Sequence, residues 1–238
     1  MVCRGRRRTG RTGRTGRGGA VAEHRLEGVR RLSASAYVLR LERGGLAFEP
    51  GQYVTLGVAG STARREYSVY SGRGDPFLEV LIKEVEGGSV SRQLARLAPG
   101  AVLDCDGPFG YFTIPAARRG EPLLFIASGT GIAPFRSFAR SYRDLDYRIL
   151  HGVRTATERY DSTEYPADRY LSCLSRVPAA AVPHRSYPGR VTAYLREHPV
   201  APGTACYLCG NSEMIFAAFD ILKKQGVPGA DLFAEVYF

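Results

Sequence analysis

A change of hydrophobic period at Pro122 constrains this chain more than any other feature. Beyond it, Leu123-Leu-Phe-Ile-Ala127 is an unbroken apolar run, the pattern of a strand covered on both faces. Ser128-Gly129-Thr130-Gly131 follows at once and leads into an apolar-periodic helix at about residues 134–142. Strand, glycine turn and helix in that order begin a doubly wound unit. Further strands at 147–151, 170–174, 206–209 and 232–237, with helices near 191–197 and 213–225, continue it. Residues 121–238 are therefore expected to form an α/β domain on a doubly wound parallel sheet, with its ligand beyond the carboxyl ends of the strands. Those ends carry the glycine turn, Gly152-Val153-Arg154, and Gly210-Asn211-Ser212-Glu213-Met214. The turn lacks full GxGxxG spacing, and no Gly-Lys-Ser or Gly-Lys-Thr follows it. Neither a GxSxG elbow nor an HExxH helix occurs, which leaves hydrolase chemistry without a motif.

Before Pro122 the pattern is different. Six short segments at 25–32, 37–42, 52–58, 66–70, 77–85 and 102–105 are separated by turn signals, so residues 21–117 are expected to form an all-β antiparallel barrel. Gly87-Gly88-Ser89-Val90-Ser91 interrupts them and opens a short helix over 92–97. Its free amides suit a phosphate, although an ordinary capped helix fits the same residues. Within the barrel, Arg64-Arg65-Glu66-Tyr67-Ser68-Val69-Tyr70-Ser71 interleaves cations, rings and hydroxyls. Alternation sends Arg65, Tyr67 and Val69 to one face and Glu66, Ser68 and Tyr70 to the other. A planar, anionic ligand suits such a strand: guanidinium for phosphate, phenol for a flat ring, hydroxyl for a ring nitrogen. An edge strand with a solvated face fits it equally well.

The formal charge of +10 suggests nucleic acid until it is located. Seven arginines and no acid lie in residues 1–20, so 10 − 7 leaves +3 for the body. That leader, with Arg-Thr-Gly repeats, cannot bury a core and is expected to be a disordered basic tail, either dispensable or a misassigned start. No nucleic-acid partner is expected for the folded body. No apolar run reaches membrane-spanning length, so a soluble, cytoplasmic protein without membrane insertion is expected. Five scattered cysteines fit reduced thiols. Cys206-Tyr-Leu-Cys209 has CxxC spacing but lies in an apolar run that reads as a buried strand. No second close cysteine pair or histidine cluster supplies an iron–sulfur or zinc site, and no metal is expected.

Five segments occur in the order found in the ferredoxin–NADP reductase superfamily, which the chain resembles over residues 21–238. They are Arg65-Glu66-Tyr67-Ser68, Gly88-Ser89-Val90-Ser91, Gly129-Thr130-Gly131-Ile132-Ala133-Pro134, Cys209-Gly210-Asn211-Ser212-Glu213-Met214 and Glu235-Val236-Tyr237-Phe238. The resemblance implies that the barrel binds FAD, that the α/β domain binds NADP(H), and that the two cofactors meet between them. It places Arg65 on the flavin phosphate, Tyr67 against the isoalloxazine and ribityl region, and Ser68 near the flavin atom that accepts hydride. It assigns Gly88, Ser89, Val90 and Ser91 to the FAD pyrophosphate. Gly129, Thr130, Gly131 and Pro134 go to the NADP pyrophosphate turn, with Gly210 and Met214 in the segment after Cys209. Cys209 stands beside the nicotinamide, Glu235 is the terminal carboxylate of proton and electron traffic, and Tyr237 or Phe238 covers the flavin. Arg64, Tyr70 and Ser71 are expected as neighbours of that site.

The 2′-phosphate that distinguishes NADP calls for arginine. His151-Gly-Val-Arg154 and His184-Arg185-Ser-Tyr-Pro-Gly-Arg190 resemble bacterial reductase segments that supply such residues, so Arg154, Arg185 and Arg190 are the candidates. The function implied is an FAD-dependent NADPH reductase exchanging single electrons with a separate carrier such as ferredoxin or flavodoxin. The reductase component of an oxygenase and a free flavin reductase share this layout. A non-catalytic, cofactor-binding electron-transfer subunit of a larger complex is the alternative from another class.

Overall fold

The computed structural model describes residues 22–237; the basic tail and Phe238 lie outside them. Six strands form the first sheet: β1 (Ala22–Arg31), β2 (Ala36–Glu42), β3 (Tyr53–Val58), β4 (Arg65–Ser68), β5 (Phe77–Lys83) and β6 (Val102–Phe109). They pair antiparallel in the order β4-β3-β6-β1-β2-β5. A bridge between Val69 and Val80 joins the region just after β4 to β5, bringing the two edges together and closing the barrel. Alternate residues, among them Leu39, Leu41, Val54, Leu56 and Val80, fill its interior. A short helix, α1 (Ser89–Leu94), contributes Val90 and Leu94 to that core.

The second sheet is parallel throughout. It contains β7 (Leu123–Ser128), β8 (Tyr147–Val153), β9 (Tyr170–Leu174), β10 (Ser186–Pro188), β11 (Ala205–Asn211) and β12 (Leu232–Tyr237), in the order β10-β9-β8-β7-β11-β12. The order reverses between β7 and β11, which makes the crevice beyond those two strands the expected ligand site. Residues of β7 alternate between two cores. Leu123, Phe125 and Ala127 pack with Phe135 and Phe138 of α2 (Ala133–Ser141). Leu124 and Ile126 pack with α3 (Val191–Glu197) and α4 (Ser212–Lys224). Covering on both faces is what the continuous apolar run requires. In β11 the same alternation sends Cys206 and Cys209 to opposite cores, and both are buried free thiols. Among the described residues no helix is long and apolar enough to cross a membrane.

The α2-side core continues into the outer face of the barrel through Val38, Tyr70 and Leu81. A polar seam borders it. Arg136 of α2 is buried, and its guanidinium donates to Tyr70 O at 2.9 Å, to Glu79 of β5 at 3.0 Å and to Glu164 at 2.7 and 2.9 Å. Ser137 Oγ donates to Ser71 O at 2.8 Å, and the Tyr70 hydroxyl donates to Asp161 at 2.9 Å. Tyr70 and Ser71, expected as neighbours of the ligand site, lie in this seam just past the end of β4. The chain turns away from the cleft once β4 ends.

Candidate active site

The carboxyl ends of β7 and β11 and one end of the barrel border a cleft of about 1160 Å³. Strict alternation would separate Tyr67 from Ser68, yet both line it. The reason is local: β4 stops at Ser68, and the Val69–Val80 bridge diverts the chain toward β5. Parallel pairing of β11 with β12 sets Cys209 opposite Glu235. Four residues then meet. The Tyr237 hydroxyl donates to Ser68 Oγ at 2.7 Å, Ser68 Oγ donates to Glu235 Oε2 at 2.9 Å, and the Cys209 thiol points to the same oxygen at 3.9 Å.

Burial controls the charge of this group. It raises the Glu235 carboxyl to about 7, helped by the charge of Glu66 and opposed by the donors Ser68 and Cys209. It also pushes the Cys209 thiol and the Tyr237 phenol well above their ordinary ranges, so neither ionises near neutrality. The set is thus a hydroxyl–carboxyl–thiol relay in which Glu235 alone exchanges a proton near pH 7.

Around the relay stand groups suited to large, anionic, planar ligands. Arg65 is exposed, donates only to Arg64 O and makes no ion pair among the described residues, whereas Arg64 is held by Asp104 at 2.8 Å. Tyr67 is half-buried, and burial raises its phenol to about 12, which keeps the ring neutral. Opposite them, Gly129, Thr130, Gly210 and Met214 line the cleft. Cation, flat ring and hydroxyl on one wall, with a glycine turn on the other, fit a flavin nucleotide and a pyridine nucleotide in the same cleft.

The remaining sequence candidates divide. Arg154 and Arg190 line the cleft. Arg185 does not: it sits in a left-handed turn at φ 62° before β10, and Arg176 at the end of β9 lines the cleft instead. Gly131 and Pro134 are buried and lie outside the lining. Pro134 sits in the first turn of α2, and Gly131 lets the turn pack on β11, where a Cβ would stand 2.2 Å from Cys209 O. Gly88, Ser89, Val90 and Ser91 also lie outside the lining, next to Val85, which belongs to it. Val90 fills the barrel core, and Ser91 Oγ accepts from Val85 N while its carbonyl accepts from the Tyr37 hydroxyl. The Gly88 amide is itself engaged, donating to Val85 O at 2.9 Å, so Ser89 is left as the candidate there. Phe238 is outside the described residues.

Sequence reasoning missed Tyr53, Ser128, Glu158 and Arg176 as cleft residues. Arg176 was within reach, since it follows Ser175 just past the carboxyl end of a strand read from the sequence. Ser128 was hidden because its task is a cross-link: its Oγ accepts from Asn211 N at 2.9 Å and ties the ends of β7 and β11 together.

Comparison with known proteins follows this division of the chain. Residues 25–114 match the family described as Oxidoreductase FAD-binding domain, and residues 125–219 match Oxidoreductase NAD-binding domain. Ferredoxin--NADP reductase B of Sorangium cellulosum is 32% identical over 90% of this chain and 97% of its own length. The toluate 1,2-dioxygenase electron transfer component of Pseudomonas putida is 33% identical over 89% of this chain, which spans only 66% of that relative. A ferredoxin NADP+ reductase from Neisseria gonorrhoeae, solved with bound FAD and NADP, superposes with a TM-score of 0.80 at 21% identity, covering 91% of this chain and 98% of that one. The chain belongs to the ferredoxin–NADP reductase superfamily, as an oxidoreductase with an FAD-binding part and a pyridine-nucleotide-binding part.

Proposed function

We propose that the chain is an NADPH-dependent reductase that passes electrons singly to a separate carrier of the ferredoxin or flavodoxin type. The observation that carries this is the Tyr237–Ser68–Glu235–Cys209 relay, which joins the FAD-type part to the NAD-type part within one cleft. FAD, when bound, links the two-electron chemistry of a nicotinamide to one-electron transfer. Arg65 and Tyr67, with Ser89 nearby, would hold it. Ser68 orients the reacting edge, and the Glu235 carboxyl stores a proton near neutral pH while its Oε2 accepts from Ser68. Tyr237 packs in the same cluster as fully buried Cys209, so a nicotinamide reaches the thiol only when that ring withdraws.

Preference for NADPH rests on Arg154, Arg176 and Arg190, exposed cations of the cleft with no ion pair among the described residues. The neighbouring Glu158 carboxylate is engaged by Arg154 N at 2.8 Å. The expected result is at least a tenfold higher kcat/KM for NADPH than for NADH, with Arg176→Ala reducing that ratio by roughly tenfold, the worth of a charge-assisted hydrogen bond. Equal use of NADH would sink the assignment. The likeness to the toluate 1,2-dioxygenase component supports a second reading, the reductase component of an oxygenase. Turnover with ferredoxin compared with an oxygenase component and with free flavin separates these acceptors.

A further inference from the structure

His151 of β8 pairs opposite Ala127 of β7, is fully buried, and does not line the cleft. Its Nε2 lies 2.8 Å from Gly129 O and its Nδ1 lies 2.8 Å from the Tyr170 hydroxyl. A carbonyl oxygen only accepts, so Nε2 carries the hydrogen and Nδ1 accepts from Tyr170; the partners thus fix the tautomer. Tyr165 stacks on Tyr170 at 5.4 Å, and the Tyr160 ring lies 5.9 Å from the imidazole, which confines both donors. Burial lowers the imidazole to about 4, so the ring stays neutral under ordinary conditions.

The peptide between Gly129 and Thr130 is trans and planar, and its carbonyl and N–H therefore point in opposite directions. Drawing the carbonyl inward to His151 turns the Thr130 N–H outward, on the side where Gly129 and Thr130 line the cleft. Gly129 has φ 54° and opens a 3-10 turn, Gly129–Ile132; nothing lies within 4 Å of where a Cβ would stand, so this peptide is held by the backbone of that turn and by His151. We propose that His151 is a positioning residue: by holding Gly129 O it locks the Gly129–Thr130 peptide with its amide presented to the phosphates of the pyridine nucleotide. This rests on assigning that end of the cleft to the pyridine nucleotide.

The test is calorimetric titration of NADP+ and of NAD+ into the FAD-loaded full chain, comparing wild type with His151→Phe, His151→Gln and His151→Asn. Loss of the bond in His151→Phe is expected to weaken binding of the preferred nucleotide about tenfold, with the cost in KM rather than kcat and the flavin absorbance unchanged. Gln places an amide N–H where Nε2 stood and is expected to restore binding to within about twofold, whereas the shorter Asn cannot reach Gly129 O and stays weak. Wild-type binding by His151→Phe, or equal binding by the Gln and Asn variants, overturns the proposal. Should the Phe variant fail to fold by circular dichroism, the Gln and Asn pair decides alone. A wild-type chain that binds neither nucleotide overturns the assignment of the cleft itself, and this inference with it.

Discussion

Glu235 is where the two halves of the cleft meet, since β12 carries it opposite Cys209 while its Oε2 accepts from Ser68 of the barrel. Holding a carboxyl there has a cost that depends on pH. Its folded value, about 7, lies above the ordinary 4.5, so the folded state binds the proton more tightly than the unfolded chain. The associated stability is complete below about 4.5 and is lost as pH rises through about 7. Wild type is therefore expected to lose stability across that window, on the order of 3 kcal/mol at most, and Glu235→Gln to lack this loss. Denaturant midpoints at pH 4.5, 6 and 8, roughly bracketing the window, measure it. Parallel profiles for the two proteins would show that Glu235 does not titrate as described.

At the scale of elements, the glycine turn after β7 and the strand β11 are packed backbone against backbone. Gly131→Ala would set a methyl 2.2 Å from Cys209 O, a backbone atom that cannot yield without moving β11 and with it Cys209. The expected loss is about 2 kcal/mol or more, seen as a lower denaturant midpoint. How much of this was legible in the sequence depends on the kind of contact involved. The apolar run of β7 and the periodicity of α3 are local patterns, and both elements lie where their residues indicate. β6 extends to Phe109 rather than ending near 105, because pairing with β3 continues to Tyr53 opposite Phe109. β10 carries no strand signal of its own: three residues ending in Pro188 resemble a turn, and only parallel pairing with β9 makes them a strand. α1 begins at Ser89, earlier than its apolar spacing suggests, with Val90 drawn into the barrel core. Of the site, Ser68, Cys209, Glu235 and Tyr237 come together as a group, whereas Val90, Gly131 and Pro134 serve packing. Motif order locates a segment, but the side of the chain that faces a ligand is decided by tertiary contacts.

For the whole molecule, the cleft keeps its shape only if barrel and parallel sheet stay in one orientation. Arg136, shared by Glu79 of the barrel and Glu164 of the second half, is the central tie, and it stacks over the Tyr70 ring at 4.1 Å. Nothing in the sequence singles out this arginine, since an arginine on a helix becomes a seam residue only once two separate sheets pack around it. What the joined halves are built to do can be measured directly by the visible spectrum of the purified chain supplied with FAD, followed by anaerobic titration with NADPH. Stoichiometric flavin that NADPH bleaches is the expected result. A colourless protein that takes up no FAD, or a bound flavin that NADPH leaves oxidised, would contradict it.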